Sequence, residues 1–240
     1  MTAFSALVGV TLRGLLNRRR IILMTLLAGI PVLLGLFVYL RGGRPDVDRV
    51  LGILIVQTVM PLVALVLGTA ALGSEIEDGT AVYLLAKPVP RWQVALAKIV
   101  VAVLLTAALV VPSVILTGLL IGRGSSEAIG VTLAFAFGCF VGCTAYSSAF
   151  VALSAFTSRA LVLGLAYVLL WEGSLGGLLK GTRFLSIRQA TLGLVDAAGG
   201  EVGGEPLAVD ISLVVLTSVI VGAFLLASWK LARFEVRGGD

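Results

Sequence analysis

Apolar runs of membrane-crossing length alternate along the chain with short polar interruptions. The runs fall at about 21–40, 50–73, 94–121, 128–156, 160–179 and 211–229. A helix needs about 20 apolar residues to cross a bilayer core, and each run has them. Pro31 predicts a kink in the first run, and Pro61 and Pro112 lie inside the second and third. Ahead of the first run, Phe4, Leu7, Val8, Leu12, Leu15 and Leu16 recur at helical spacing, with Arg13, Asn17 and Arg20 elsewhere on the turn. That pattern predicts a short helix lying in the membrane interface, apolar face down and bases near the headgroups. Between the fifth and sixth runs, Ser186 and Gln189 make a capping-box pattern. Ile187, Thr191, Leu194 and Val195 follow as an apolar stripe, and Gly199-Gly200 supplies a stop. This predicts an amphipathic helix at about 187–198 on the outer surface. No internal repeat or low-complexity tract interrupts the pattern. The expected fold is an all-α integral membrane protein: one transmembrane domain over 1–240, with six transmembrane helices.

The segment between the second and third runs is more structured than a connecting loop needs to be. Ser74 to Lys98 reads SEIEDGTAVYLLAKPVPRWQVALAK. Ser74 and Glu77 form a capping box, which predicts a helix start at Glu75. Glu75, Glu77 and Asp78 then occupy the first turn, where the helix dipole favours acids, and Lys87 the last, where it favours a base. Pro88 excludes Lys87 from helical geometry and ends the element, giving a helix of about 75–86. Pro90 suits the start of the third span, with Trp92 at interface depth. Ile76, Thr80, Tyr83 and Leu84 line one face while Ala81, Val82 and Leu85 line others. A helix apolar nearly all round wants burial on more than one side. One side can rest on the chain's own spans; the other calls for a partner protein.

Composition narrows the class. Of 240 residues 59% are hydrophobic and 13% charged, against about 25% charged in soluble domains. The first run is longer than a signal-peptide core and is expected to stay as a span. With six spans, both termini share a side with the 74–98 segment. Eleven of the 18 lysines and arginines lie on that side. On the opposite side, seven bases are balanced by seven acids. The positive-inside rule therefore places both termini, and the 74–98 segment, in the cytoplasm. The chain has no histidine and no G-x-x-x-x-G-K-[ST] loop, so it carries neither histidine-based catalysis nor a phosphate-binding loop of its own. The bases are dispersed among loops and match no nucleic-acid motif.

The cytoplasmic segment resembles a signature of type-2 ABC exporter permeases. The residues that carry the likeness are Glu75-x-Glu77-x-Gly79-Thr80, then Leu84-Leu85-x-Lys87-Pro88-Val89-Pro90-Arg91, with Lys98 beyond. The six-span order, the N-terminal helix, the short cytoplasmic tail and Trp171-Glu172 followed by Leu185-Ser186 are similar too. The likeness covers essentially the whole chain. It is closest to the compact permeases that include the one serving nitrous oxide reductase maturation, and it lacks the large extracellular domains of bigger members. The resemblance implies that the segment is a coupling helix inserted in a cleft of a separate ATP-binding subunit, with Glu75, Ile76, Glu77, Asp78, Gly79, Thr80, Tyr83, Leu84, Lys87 and Arg91 at the docking surface. It implies two ATP-binding subunits and a second permease chain, identical or closely related, in the cytoplasmic membrane. ATP and Mg would belong to the partner, and this chain would hold no cofactor, metal or catalytic residue. The expected function is the membrane subunit of an ATP-driven exporter of a lipid-like, amphipathic or small substrate. A non-transporting assembly or anchoring protein that docks a cytoplasmic partner is the alternative.

Three features inside the spans stand apart. Glu172 reads as the one formal charge well inside a span, and a buried acid needs a protein or water partner. Arg183 or Arg188 is close enough in sequence to pair with it, so the expected role is a structural ion pair or a pathway residue. Gly138 and Gly142 form a G-x-x-x-G on a small-residue face of span four, which predicts close helix packing, within one protomer or between two. Cys139 and Cys143 have no third ligand in view and read as small packing residues.

Overall fold

The computed structural model describes residues 3–43, 45–77, 90–175, 184–203 and 206–233, and among them the protein is helical, with no strand. Helix α1 is Ala3–Leu15 and α2 is Arg18–Leu40. The chain breaks between them at Asn17, which is extended and whose side chain accepts from the Arg19 amide. Helix α3 is continuous in three parts: a turn Val47–Val50, a π-helical stretch Leu51–Val59, and an α-helical stretch Met60–Glu77. Helices α4 and α5 are Arg91–Gly122 and Ser126–Phe156. Helix α6 begins as α-helix over Ala160–Ala166 and widens to a second π stretch, Tyr167–Leu175. A short helix α7, Ile187–Ala197, and the long α8, Val209–Ala232, complete the fold.

Among the described residues, five helices are long and apolar enough to cross a membrane: α2, α3 over Val47–Gly73, α4, α5 and α8. Half or more of the apolar window of α3, α4 and α5 is buried, against 22% for α2 and α8. The first three therefore form the core, and the other two lie on its perimeter. The fifth expected span is an apolar helix described as far as Leu175, and residues 176–183 lie outside the described residues.

The long helices run antiparallel, so the molecule has two ends. Leu7 of α1, Leu72 of α3, Val94 of α4, Ala155 of α5 and Leu231 of α8 share one apolar cluster at the amino-terminal end. There α1 packs on α3 and α4 and buries Leu7, Thr11 and Leu15, one residue per turn on a single face. At the opposite end, α4 turns into α5 through Arg123 and Gly124, both at positive φ. The left-handed geometry of Arg123 is offset by its side chain, which donates to the Tyr39 carbonyl at 3.3 Å and lies over the Tyr39 ring. Each end carries such cation–aromatic pairs: Arg41 over Phe37 here, and Arg233 over Trp229 at the amino-terminal end. Aromatic rings and bases collect at this depth where apolar core meets headgroups.

The π stretch in α3 has a local cause. Met60 donates to the Ile55 carbonyl, five residues back, and the Thr58 hydroxyl donates to the Ile53 carbonyl across the same interval. Pro61 has no N–H to continue that ladder and fits the first turn of an α-helix, so regular geometry resumes there. Elsewhere, hydroxyls bind the bundle laterally. Ser113 on α4 donates to the Ala28 carbonyl of α2, at 2.5 Å, in the turn before Pro31. Ser147 on α5 donates to Thr106 on α4 at 3.2 Å.

Candidate functional site

The chemistry of the described residues concentrates at the end opposite the amino terminus, around Glu172. This residue lies in the second π stretch and is 2% exposed. Tyr167 is five residues earlier, one π turn away, and its hydroxyl donates to Glu172 Oε1 at 2.9 Å. Ordinary α-helical geometry would put residues five apart on different faces. The π register thus makes the pair.

The remaining donors come from the start of α7. Ser186 Oγ donates to Glu172 Oε2 at 2.5 Å, and the Ile187 amide donates to Oε1 at 3.0 Å. Ser186 is also the N-cap of α7, accepting from the Gln189 amide at 3.1 Å. Two residues therefore close one helix end. Ser186 caps from within the chain's own turn, and Glu172 caps from a neighbouring helix, with its negative end at the positive pole of the α7 dipole. Arg188 does not take its expected place on the carboxylate: its Nη1 donates to the main-chain carbonyl of Glu172 at 3.1 Å. The buried Tyr146 hydroxyl on α5 faces the same group and makes no hydrogen bond to a described residue. The other expected partner, Arg183, lies outside the described residues.

Held this way, α7 does not lie on a surface. Seven of its eleven residues are buried, and it packs on both α5 and α8. Polar cues marked the helix correctly, but its amphipathic stripe faces protein, not a membrane boundary. The Gly138-x-x-x-Gly142 face is where α5 receives it. A Cβ on Gly138 would strike Val195 Cγ2, and one on Gly142 would lie 2.8 Å from Thr191 Oγ1 and 2.9 Å from Met60 Sδ. The small-residue face therefore serves packing within one chain. Cys139 and Cys143, each next to one of these glycines, are fully buried in the core.

The expected docking segment is only partly within view. The α3 backbone is helical from Met60 through Glu77 without interruption. Ser74 is thus a helix-interior position and not the cap of a new helix at Glu75. With no proline or glycine between Ser74 and Glu77, nothing in the local sequence forces a break there. Glu75, Ile76 and Glu77 are the last described residues of this helix, and Asp78, Gly79, Thr80, Tyr83, Leu84 and Lys87 lie outside the described residues. Arg91 opens α4, with Pro90 extended ahead of it. Near this end Lys98 is 1% exposed, so Glu172 is not the sole charge buried within the helices. Its signal was present in the sequence: it is a lysine flanked on both sides by apolar residues, Ala97 and Ile99, of a span.

Above the Glu172 site a cavity of about 580 Å³ opens at the same end. Gly52, Ile53 and Gln57 of the first π stretch line it on one side, and Arg188 and Leu192, one turn apart on α7, on the other. Phe135 of α5 is its buried floor. Asp46, Asp48, Arg49 and Glu201 surround the mouth. The loops there are tied together by the Glu201 amide, which donates to Asp48 Oδ1 at 2.9 Å.

A bundle of five membrane-length helices with a charged cavity at one end defines a multi-pass membrane protein. The sequence model of the ABC-2 family transporter protein matches residues 16–173. The chain belongs to that family and has the role of a transport permease. No curated protein sequence matches it.

Proposed function

We propose that the chain is the permease subunit of an ATP-driven exporter. Two copies, or this chain and a close relative, pair in the cytoplasmic membrane with two ATP-binding subunits and move a lipid-like, amphipathic or small molecule. ATP and Mg are held by the partner, and hydrolysis takes place there. In this reading α6 belongs to the fifth of six spans, α1 rests in the cytoplasmic interface, and both termini are cytoplasmic. Residues 75–91 form the docking element.

The observation that carries the reading is where that segment sits. It joins α3 to α4, two of the three helices that make up the buried core. A displacement applied at their ends would move the centre of the bundle, because close-packed interiors transmit strain and do not absorb it. ATP-driven closure of the partner dimer would reach the core before the perimeter.

The test is purification in mild detergent, followed by ATPase assay. An ATP-binding subunit is expected to co-purify in equal number with the permease. Gly79→Arg and Tyr83→Arg are expected to abolish most of the permease-dependent ATPase stimulation while leaving the amount of membrane-inserted chain unchanged. Normal stimulation in both variants overturns the docking assignment. Absence of any ATP-binding subunit overturns the exporter reading in favour of an assembly or anchoring role.

A further inference from the structure

We infer that the cavity between the first π stretch and α7 is the binding site for a zwitterionic amphiphile, a molecule carrying an ammonium group and an acidic group on a short apolar body. The inference rests on the permease reading above and specifies where and what that permease binds.

Both departures from α-helical geometry serve this one cavity. The π stretch Leu51–Val59 places Ile53 and Gln57 on its wall. The π stretch Tyr167–Leu175 holds Glu172 where it grips the start of α7, and α7 contributes Arg188 and Leu192. Wide helical turns recur at functional sites because they aim side chains that a regular turn cannot. The size also fits: ligand pockets of about 300–1,000 Å³ take small molecules, not macromolecules.

The lining carries charges of both signs. Arg188 spends Nη1 on the Glu172 carbonyl, and its side chain lines the cavity. A guanidinium in that position has donor capacity left for an anionic oxygen, and its fork suits a carboxylate or phosphate. Arg49 at the mouth adds a second cation. At the same mouth Asp46, Asp48 and Glu201 outnumber the bases, which favours a ligand that also carries a positive group. Below the charges, Ile53, Phe135 and Leu192 offer an apolar floor. An anion alone would leave three acids facing it, and a cation alone would leave Arg188 unmatched. One ligand bearing both groups satisfies the whole lining.

The full chain, with any subunit that co-purifies, is placed in nanodiscs of phosphatidylglycerol, a lipid without a cationic group. Equilibrium binding is then measured for hexylphosphocholine, hexyl phosphate and hexyltrimethylammonium. Hexylphosphocholine is expected to bind at least tenfold more tightly than either singly charged probe. Asp46→Asn and Arg49→Gln, both at exposed positions, are expected to weaken it severalfold, and Arg188→Lys more so. Equal binding of the three probes, or unchanged binding in all three variants, overturns the assignment. None of these measurements needs ATP. Lost probe selectivity with the ATP-binding subunit still attached therefore rejects the cavity alone. Selective binding without that subunit upholds the cavity and rejects the exporter reading.

Discussion

Replacing Glu172 by alanine tests whether one carboxylate holds α7 in the bundle. The substitution removes the acceptor for Tyr167, Ser186 and the Ile187 amide at once, and for the longer bond from the Arg188 amide. Ser186 and Ile187 are buried, so their donors are not released to water. Each hydrogen bond to a charged group contributes about 1.5–3 kcal/mol, and each donor stranded in the interior costs about 1–3 kcal/mol. These terms overlap, since they describe the same contacts, and no longer burying the glutamate side chain offsets part of them. Three stranded donors at about 1 kcal/mol each put the cost at about 3 kcal/mol or more. At about 1.4 kcal/mol per factor of ten, the lower bound is a roughly hundredfold rise in the population with α7 detached. Cys139 and Cys143 are built-in reporters, being fully buried beside the glycines on which α7 rests. A membrane-permeant maleimide is expected to label them about a hundred times faster in Glu172→Ala than in the native protein. Tyr167→Phe, which removes one donor and leaves the cap on α7, is expected to change the rate less than tenfold. Labelling of Glu172→Ala within twofold of the native rate would refute the capping role.

Two further substitutions separate packing from lateral bonding. Gly138→Ala forces Val195 to move and is expected to destabilise the bundle by about 1–3 kcal/mol, as overpacking does. Gly130→Ala on the same helix meets nothing within 4 Å and is expected to stabilise by about 0.5–1 kcal/mol, from helix propensity alone. Thermal unfolding in detergent measures both; equal effects would show that the Gly138 face is not a contact. Ser113→Ala removes the hydroxyl that donates to the Ala28 carbonyl of α2. It is expected to cost about 0.6–1.7 kcal/mol, the range for hydrogen bonds between membrane helices, read as a lower melting temperature of the whole protein.

Much of the fold was legible in the chain because membrane spanning imposes simple requirements. A run such as Ile21–Leu40 must satisfy its backbone internally, so length and apolarity alone mark it as a helix. The start of α7 was legible at Ser186 for the same kind of reason: a cap is local chemistry among residues three apart. The stop at Gly199, which has φ of +93°, is local as well. Small residues at 138 and 142 signalled a close contact, since only packing rewards them at that spacing.

Where those contacts lead is not local, and tertiary structure alone decided it. Gly138 and Gly142 receive α7, which follows them by about fifty residues in the chain and whose stripe reads equally well as facing a membrane surface. Ser74 reads as a cap, yet α3 continues through it to Glu77, because a capping pattern permits a helix start without forbidding a longer helix. The π registers were illegible for a related reason. Hydrophobic periodicity cannot reveal that Tyr167 and Glu172 align when the residues around them are apolar on every face. Glu172 itself shows both sides. Its presence in an apolar run announced that it must have partners, because an unsatisfied charge there is too costly. Which partners it took, two hydroxyls and the amide end of another helix in place of a single arginine, depended on how the bundle closed around it.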